Sequence, residues 1–374
     1  MQTTATPTAT RRAAPLALPP DITAHLARFG LTLADLLTDT NPKLAKGATL
    51  ARSVILHHLP AASLGAAITP GRQGPTAPRS YLPDLAALAA REGLTDAARR
   101  WHGCPGATPG CAAGCLNWSG HGGISPAVAS ARGRRTLAMI ADPVTYGRAI
   151  LWATCRQWAM AQAQGLPLAV RLRGTDEGPA CGWHRLRFPV SLAEALALGR
   201  RFGLAITPGV QVTLAEALAC GLEGLAQGRP TLSLYDYSKL PLSGPLGLEA
   251  QRAAGWDLTA SMAADRPTAA ADAMAALGAG FRLAVPVALA KGQALPRELT
   301  LSRPAEPGTP AVALTVPCIN GDTTDHRWAE PAGVAVILRI KASRGADQAL
   351  ASRFSLAPTG SPQPLADGIA TLSW

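Results

Sequence analysis

Beyond residue 120 this chain falls into a rhythm that limits what it can fold into: short apolar runs with β-branched residues alternate with Ala/Leu-rich stretches of helical period. Such runs read as strands buried on both faces, and strands separated by helices fold as βα units around a parallel sheet. With one earlier run included, the strand candidates are Ser53–His57, Leu168–Arg173, Gly203–Thr207, Thr231–Tyr235, Asp257–Ser261, Phe281–Val287, Ala313–Ile319 and Val334–Ile340. Helical candidates fill the gaps at Pro126–Ala141, Pro143–Gln164, Leu192–Arg201, Leu214–Gln227, Leu246–Ala254 and Thr268–Leu277. Pro or Gly stands near many of their ends, as helix boundaries require. The pattern predicts an α/β fold, specifically a (β/α) barrel-like sheet, complete or open, and a doubly wound sheet is the competing solution.

The rest of the chain frames that unit. Residues 1–20 are expected to be a disordered tail, 21–47 a short helical extension and 66–80 a Pro/Gly-rich loop. A single domain is expected over 21–345, followed by a C-terminal tail over 346–374. At 48% apolar and 16% charged, the composition excludes a disordered chain. No apolar run approaches the roughly 18 residues of a membrane-spanning helix, so no membrane partner is expected. Seven cysteines, three of them crowded into one loop, do not make a secreted disulfide scaffold. A reducing cytoplasm is therefore the expected location, and prolines break the apolar run after Arg11 and Arg12 before any secretory core can form.

Lys and Arg number 35 against 24 Asp and Glu, a net charge of +11. Only Lys43, Lys46, Lys239, Lys291 and Lys341 are lysines; the other basic residues are arginine, whose planar fork grips phosphate oxygens in pairs. A nucleic acid or nucleotide partner fits that balance. The basic pairs are scattered, however, and form no single binding stripe.

The densest chemical signal is the loop over 101–121, where Cys104, Cys111 and Cys115 form a C-x6-C-x3-C array among Gly and Pro. Small residues let a backbone wrap around one soft metal centre, so the three thiols are candidate metal ligands. Two kinds of centre are open. Three thiolates would leave one iron of a [4Fe-4S] cluster free for a substrate or S-adenosylmethionine, whereas His102 or His121 would complete a tetrahedral zinc site. Cys155, Cys220 and Cys318 fall in apolar stretches and read as small core residues.

Polar side chains gather where the candidate strands end, which is where parallel α/β folds place their chemistry. The second strand runs through Arg171 and Arg173 into Thr175 and Asp176. Later strands lead into Asp236, Tyr237 and Lys239, into Ser261, into Asp322, Asp325 and Arg327, and into Lys341. Asp236, Lys239, Asp322 and Asp325 are the candidate acid/base groups. Arg171, Arg173, Thr175, Asp176, Tyr237, Ser261, Arg327 and Lys341 are candidate substrate contacts, with Arg171 and Arg327 suited to an anion.

In order along the chain, Asn41-Pro42-Lys43 with Lys46-Gly47, the Cys104 to Cys115 loop, Arg135-Thr136, Val170 to Thr175, Tyr235 to Lys239, Leu258 to Ser261, Asn320-Gly321-Asp322 with Asp325 and Arg327, and Lys341 form a series. That series resembles the gene product 88 proteins of phages and plasmids, a largely uncharacterised family. Arg173 stands where the family carries Asn, and Asp176-Glu177 where it carries Ser-Asp. Three clustered cysteines on an expected barrel also give a distant likeness to radical S-adenosylmethionine enzymes. The combined expectation is a metal-cluster-dependent enzyme of phage or plasmid type acting on nucleic acid or a nucleotide. The alternative is a non-catalytic, zinc-stabilised nucleic-acid-binding protein.

Overall fold

The computed structural model describes residues 18–39, 44, 47–60, 63–72, 81–113, 115, 125–222, 232–290, 292–305, 310–340, 352, 353 and 355–374. Among the residues singled out above, Arg11, Arg12, Asn41 to Lys43, Lys46, His121, Gln227, Thr231, Lys291 and Lys341 lie outside the described set, as do 1–17, 346–351 and 354 of the expected tails and 73–80 of the expected loop.

Strands β1 (Arg52–Ile55), β2 (Leu168–Arg171), β3 (Phe188–Pro189), β4 (Gln211–Val212), β5 (Leu232–Ser238) and β6 (Asp257–Ser261) are followed by β7 (Arg282–Val287), β8 (Glu298–Arg303), β9 (Val312–Asn320), β10 (Ala335–Arg339), β11 (Gln363–Leu365) and β12 (Gly368–Ser373). Ten of them form one sheet in the order β1-β2-β5-β6-β7-β10-β9-β8-β12-β11, and β3 and β4 pair separately. From β1 to β9 in that order every pairing is parallel, so these seven strands end along one edge. The remaining three strands add on antiparallel. The sheet is open: among the described residues its outermost strands, β1 and β11, do not pair with each other.

Alternation along the strands sorts two faces. Val54, Val170, Leu234, Leu258, Val285 and Ile337 join one large apolar cluster with the helices, notably Trp152 and Trp158 of the Pro143–Ala163 helix. The opposite alternates mix small or aliphatic residues such as Ala169, Ala284 and Val336 with polar or aromatic ones, among them Ser53, Arg171, Tyr235, Thr259 and Arg282. They are covered by the chain itself: residues 321–330, leaving β9, cross back over this face to the far edge strand. His326 Nε2 meets Ser53 Oγ at 2.8 Å in β1, and Trp328 packs against Ala51, Ala169 and Tyr235. Gly47 lets the strap pass, because a Cβ there would lie 2.3 Å from the His326 ring.

Local signals set the helix ends. Asp142 accepts from the Val144 and Thr145 amides, and Ser191 with Glu194 forms a reciprocal capping box. The Ala269–Gly278 helix has no side-chain cap of its own; Asp367, in the turn between β11 and β12, accepts from the Ala270 and Ala271 amides at 2.9 Å each. That contact, with buried Ala370 and Leu372, docks a segment expected to be tail onto the core.

Seven of the strand candidates fall on strands, and the Gly203–Thr207 run does not. Its Leu204 and Ile206 are buried, but Gly203 takes φ 75° to end the preceding helix and the chain then runs on without a ladder partner. No helix among the described residues is long and apolar enough to cross a membrane.

Candidate functional site

The centre of the parallel edge is built on Arg171, the last residue of β2. Pairing between β2 and β5 stops at Val170 and Leu234, and the Asp236 carboxylate fills the gap. It accepts from the Leu172 amide at 3.1 Å, the Tyr237 amide at 3.1 Å and Arg171 Nε at 3.2 Å. Arg171 also donates to Asp325 of the strap at 3.1 Å and to the Arg173 carbonyl, and lies 4.6 Å from the Tyr237 ring centroid. Burial pushes the Asp236 carboxyl up to about 6, against the pull of Arg171 and Arg173. Burial works against the Arg171 charge, but Asp325 and Asp236 outweigh it and raise its pKa. Tyr237, raised by burial, donates to Asp325 at 3.4 Å.

The cysteine loop sits on this edge. Cys104 Sγ donates to the Thr175 carbonyl at 3.6 Å, and the Glu177 amide donates to the Gly103 carbonyl at 2.6 Å. Gly106 lies flat on Lys239, where a Cβ would come within 3.0 Å of the lysine backbone and Cβ. Arg266 bridges the Lys239 and Gly106 carbonyls at 2.6 and 2.5 Å. Asp265 accepts from Thr108 Oγ1 at 2.6 Å and from the Gly110 amide at 2.9 Å, holding the short Pro109–Ala113 helix that carries Cys111.

Burial disfavours the Lys239 charge, yet Cys111, Glu177, Cys104 and Cys115 together keep its pKa above the ordinary value. Lys239 Nζ donates to Ser261 Oγ at 3.0 Å, joining the ends of β5 and β6. Glu177 accepts from Arg173 at 3.2 Å, from Ser238 Oγ at 3.2 Å and from the Lys239 amide at 3.1 Å. Among the described residues, no three His, Cys, Asp or Glu side chains are arranged ready to hold one metal ion.

Two histidines at the end of β1 complete the edge. His58 is fully buried between Asp176 Oδ2 and the Tyr146 hydroxyl, each 3.1 Å from a ring nitrogen, and stacks on Trp183. Its carbonyl accepts from Thr175 Oγ1 at 2.6 Å, so His58 fixes the segment on which Cys104 rests. His57 packs against Gly174, where a Cβ would lie 2.3 Å from Nδ1. Burial, followed by Arg132, Arg171 and Arg135, drives its pKa well below the ordinary value and keeps it neutral.

The structure thus gathers Arg171, Arg173, Thr175, Asp176, Asp236, Tyr237, Lys239, Ser261 and Asp325 with the thiols along one stretch of the edge. Asp322 lies two residues beyond β9, at the start of the strap, and instead accepts from the Arg339 amide at 3.2 Å. Arg327 is buried in the strap, bonded to Glu330 and to the Gly321 and Thr324 carbonyls. Sequence reasoning passed over His58, Glu177, Asp265 and Arg266. The His57-His58 pair directly after an apolar run was the available signal for the first of these. A cavity of about 560 Å³ lies elsewhere, between the Pro20–Arg28 and Leu192–Phe202 helices, and shares no residue with this edge.

Comparison with known proteins finds no matching family model, no matching curated protein and no matching solved structure.

Proposed function

We propose that this protein is a metal-cluster-dependent enzyme of the phage and plasmid type resembled by its motifs, acting on a phosphate-bearing substrate, a nucleotide or nucleic acid. The observation that carries this reading is the seating of the cysteine loop on the carboxyl edge of the parallel strands, with Gly106 packed against the Lys239 backbone and Arg266 bridging the two. A loop serving only its own neighbourhood has no reason to be pinned by Thr175, Glu177 and Arg266 to the ends of two strands.

Cys104, Cys111 and Cys115 are the residues that would hold the metal, and three thiolates are the donor set of an iron-sulfur centre with one open position. Such a centre, when bound, supplies electron-transfer or Lewis-acid chemistry. The chain's own part is orientation: His58 and Asp176 set the cradle, and Lys239 with Ser261 offers donors to substrate at the rim. Asp236, buried and pushed up to about 6, is the group suited to hold a proton near neutral pH, and Arg171 fixes where it points. The open sheet, with its apolar face to the helices, is read as a barrel-like half-shell around the strap.

Anaerobic purification with iron, acid-labile sulfide and zinc assays tests the reading. Iron and sulfide in a fixed ratio to the chain are expected. One zinc per chain without iron would replace the enzyme with a zinc-stabilised nucleic-acid-binding protein.

A further inference from the structure

The strap over 321–330 is braced from within. Arg327 is fully buried, and among the described residues its guanidinium bonds only inside the strap, to Glu330 and to the Gly321 and Thr324 carbonyls. The Arg327, Ala329 and Glu330 amides likewise donate to the carbonyls of Asp325, His326 and Arg327. A loop bonded to itself in this way moves as one body. Against the sheet it sets Asp325 on Arg171 and Tyr237, His326 on Ser53, and the Glu330 carbonyl on Arg282 Nη1 at 2.9 Å. That closed interface is incompletely paired. Tyr235 is fully buried against Trp328, and its hydroxyl finds no hydrogen-bond partner among the described residues; the Trp328 indole N–H and His326 Nδ1 find none either. Buried polar atoms left unpaired are penalised, so this closure is weaker than an apolar one of the same extent.

Asp325 is the exchangeable part of the contact. Arg171 serves two acids, and they are held differently. Asp236 is locked into the sheet by the Leu172 and Tyr237 amides, whereas the Asp325 carboxylate reaches the sheet only through Arg171 Nη1 at 3.1 Å and the Tyr237 hydroxyl at 3.4 Å. These two donors stay side by side without the strap, because the Arg171 guanidinium lies 4.6 Å from the Tyr237 ring centroid and is fixed by Asp236. We propose that Arg171 Nη1 and the Tyr237 hydroxyl form an oxyanion site that the strap fills with its own Asp325, and that a phosphate group of the substrate displaces this carboxylate and lifts the strap. The choice of phosphate rests on the function proposed above; the site and its internal occupant do not. One oxyanion takes the place of another, so Arg171 keeps two acidic partners throughout. Binding shifts the strap because the ligand and Asp325 cannot hold the same donors together.

Hydrogen-deuterium exchange of the full-length protein, read by mass spectrometry, tests the proposal. Peptides covering 321–330 report the strap, since the single turn Arg327–Ala329 protects its amides only while docked, and peptides covering β7 report global unfolding. The strap is expected to exchange at least tenfold faster than β7. Inorganic phosphate should speed it at least threefold relative to sodium chloride of equal ionic strength and leave β7 unchanged. Asp325→Asn, which removes the internal anion, should speed the strap without phosphate and tighten phosphate binding at least fivefold by calorimetry. Tyr237→Phe, lacking one of the two donors, should also loosen the strap but weaken phosphate binding. A strap exchanging at the β7 rate in wild type, an Asp325→Asn strap no faster than wild type, or phosphate acting no more than chloride would each overturn the proposal. Metal content is measured separately, so the oxyanion site can fail while the metal reading stands, and the reverse.

Discussion

Replacing Arg171 by Met removes the cation shared by two buried carboxylates while keeping much of the side-chain volume. Breaking a buried ion pair from one side costs roughly 3–5 kcal/mol, because the surviving charge is left uncompensated. Here two carboxylates lose their partner, but Asp236 keeps the Leu172 and Tyr237 amides, and Asp325 keeps the Tyr237 hydroxyl. Asp236, pushed up by burial, can also take up a proton. The expected loss at pH 8 is therefore about 3–5 kcal/mol, not double that. The pH dependence follows from the raised carboxyl. Asp236 sits at about 6 in the folded protein against an ordinary 3.8, so between those values the folded state binds more protons and stability falls as pH rises. Without Arg171 the folded pKa of Asp236 climbs further, so this falling window extends above pH 6. The variant should accordingly lie close to wild type at pH 5 and diverge from it by pH 8. Urea unfolding followed by tryptophan fluorescence reads this directly, since Trp152, Trp158, Trp183 and Trp256 are all buried. A midpoint equal to wild type at pH 8, or a deficit independent of pH, would refute the reasoning. Adding Asp325→Asn to Arg171→Met should recover part of the loss; strict additivity of the two changes would show that the pair is not coupled.

Cys104→Ser, Cys111→Ser and Cys115→Ser should each abolish stoichiometric metal while Cys155→Ser, deep in the helix core, retains it; metal analysis of the four proteins decides. Gly174→Ala should lose about 1–3 kcal/mol or more, because its Cβ would lie 2.3 Å from His57 Nδ1 and 2.6 Å from Ile55 Cγ2; an unchanged melting temperature would show that β1 yields easily. Asp367→Ala should cost about 1 kcal/mol by exposing two amides of the Ala269–Gly278 helix, and Asp367→Asn should recover much of it in the same melt.

The parallel set was legible because both faces of its strands are covered and the apolar runs are therefore continuous. Phe281–Val287 and Asp257–Ser261 announce β7 and β6 within a residue. Strand β8 was missed although Leu299 and Leu301 alternate with polar residues, since a half-exposed strand carries only every second apolar position. The final strand, Gly368–Ser373, has the same weakness, and its reason to dock is a cap supplied to a helix about 96 residues earlier. The order β7-β10-β9 is likewise invisible locally, because it depends on which connection crosses which face. The candidate site was readable wherever a polar residue directly follows a strand, as Lys239 and Ser261 do. Tyr146 was not, for it lies mid-helix, and its pairing with His58 spans 88 positions. Arg171 was singled out for an anion, and the acids that face it come from β5 and from a loop 154 residues away.

The strap also sets a timetable for the molecule's birth. Ser53 meets His326 across 273 positions, and Arg171 waits for Asp325 across 154. A nascent chain emerging from the ribosome can pack its helices on one side of β1, β2 and β5, but the polar side stays wet until residue 330 has been made. Such long-range closure slows folding, and until it happens Arg171 and Tyr235 face solvent. Residues 321–330 thus complete a centre that residues 52–171 began.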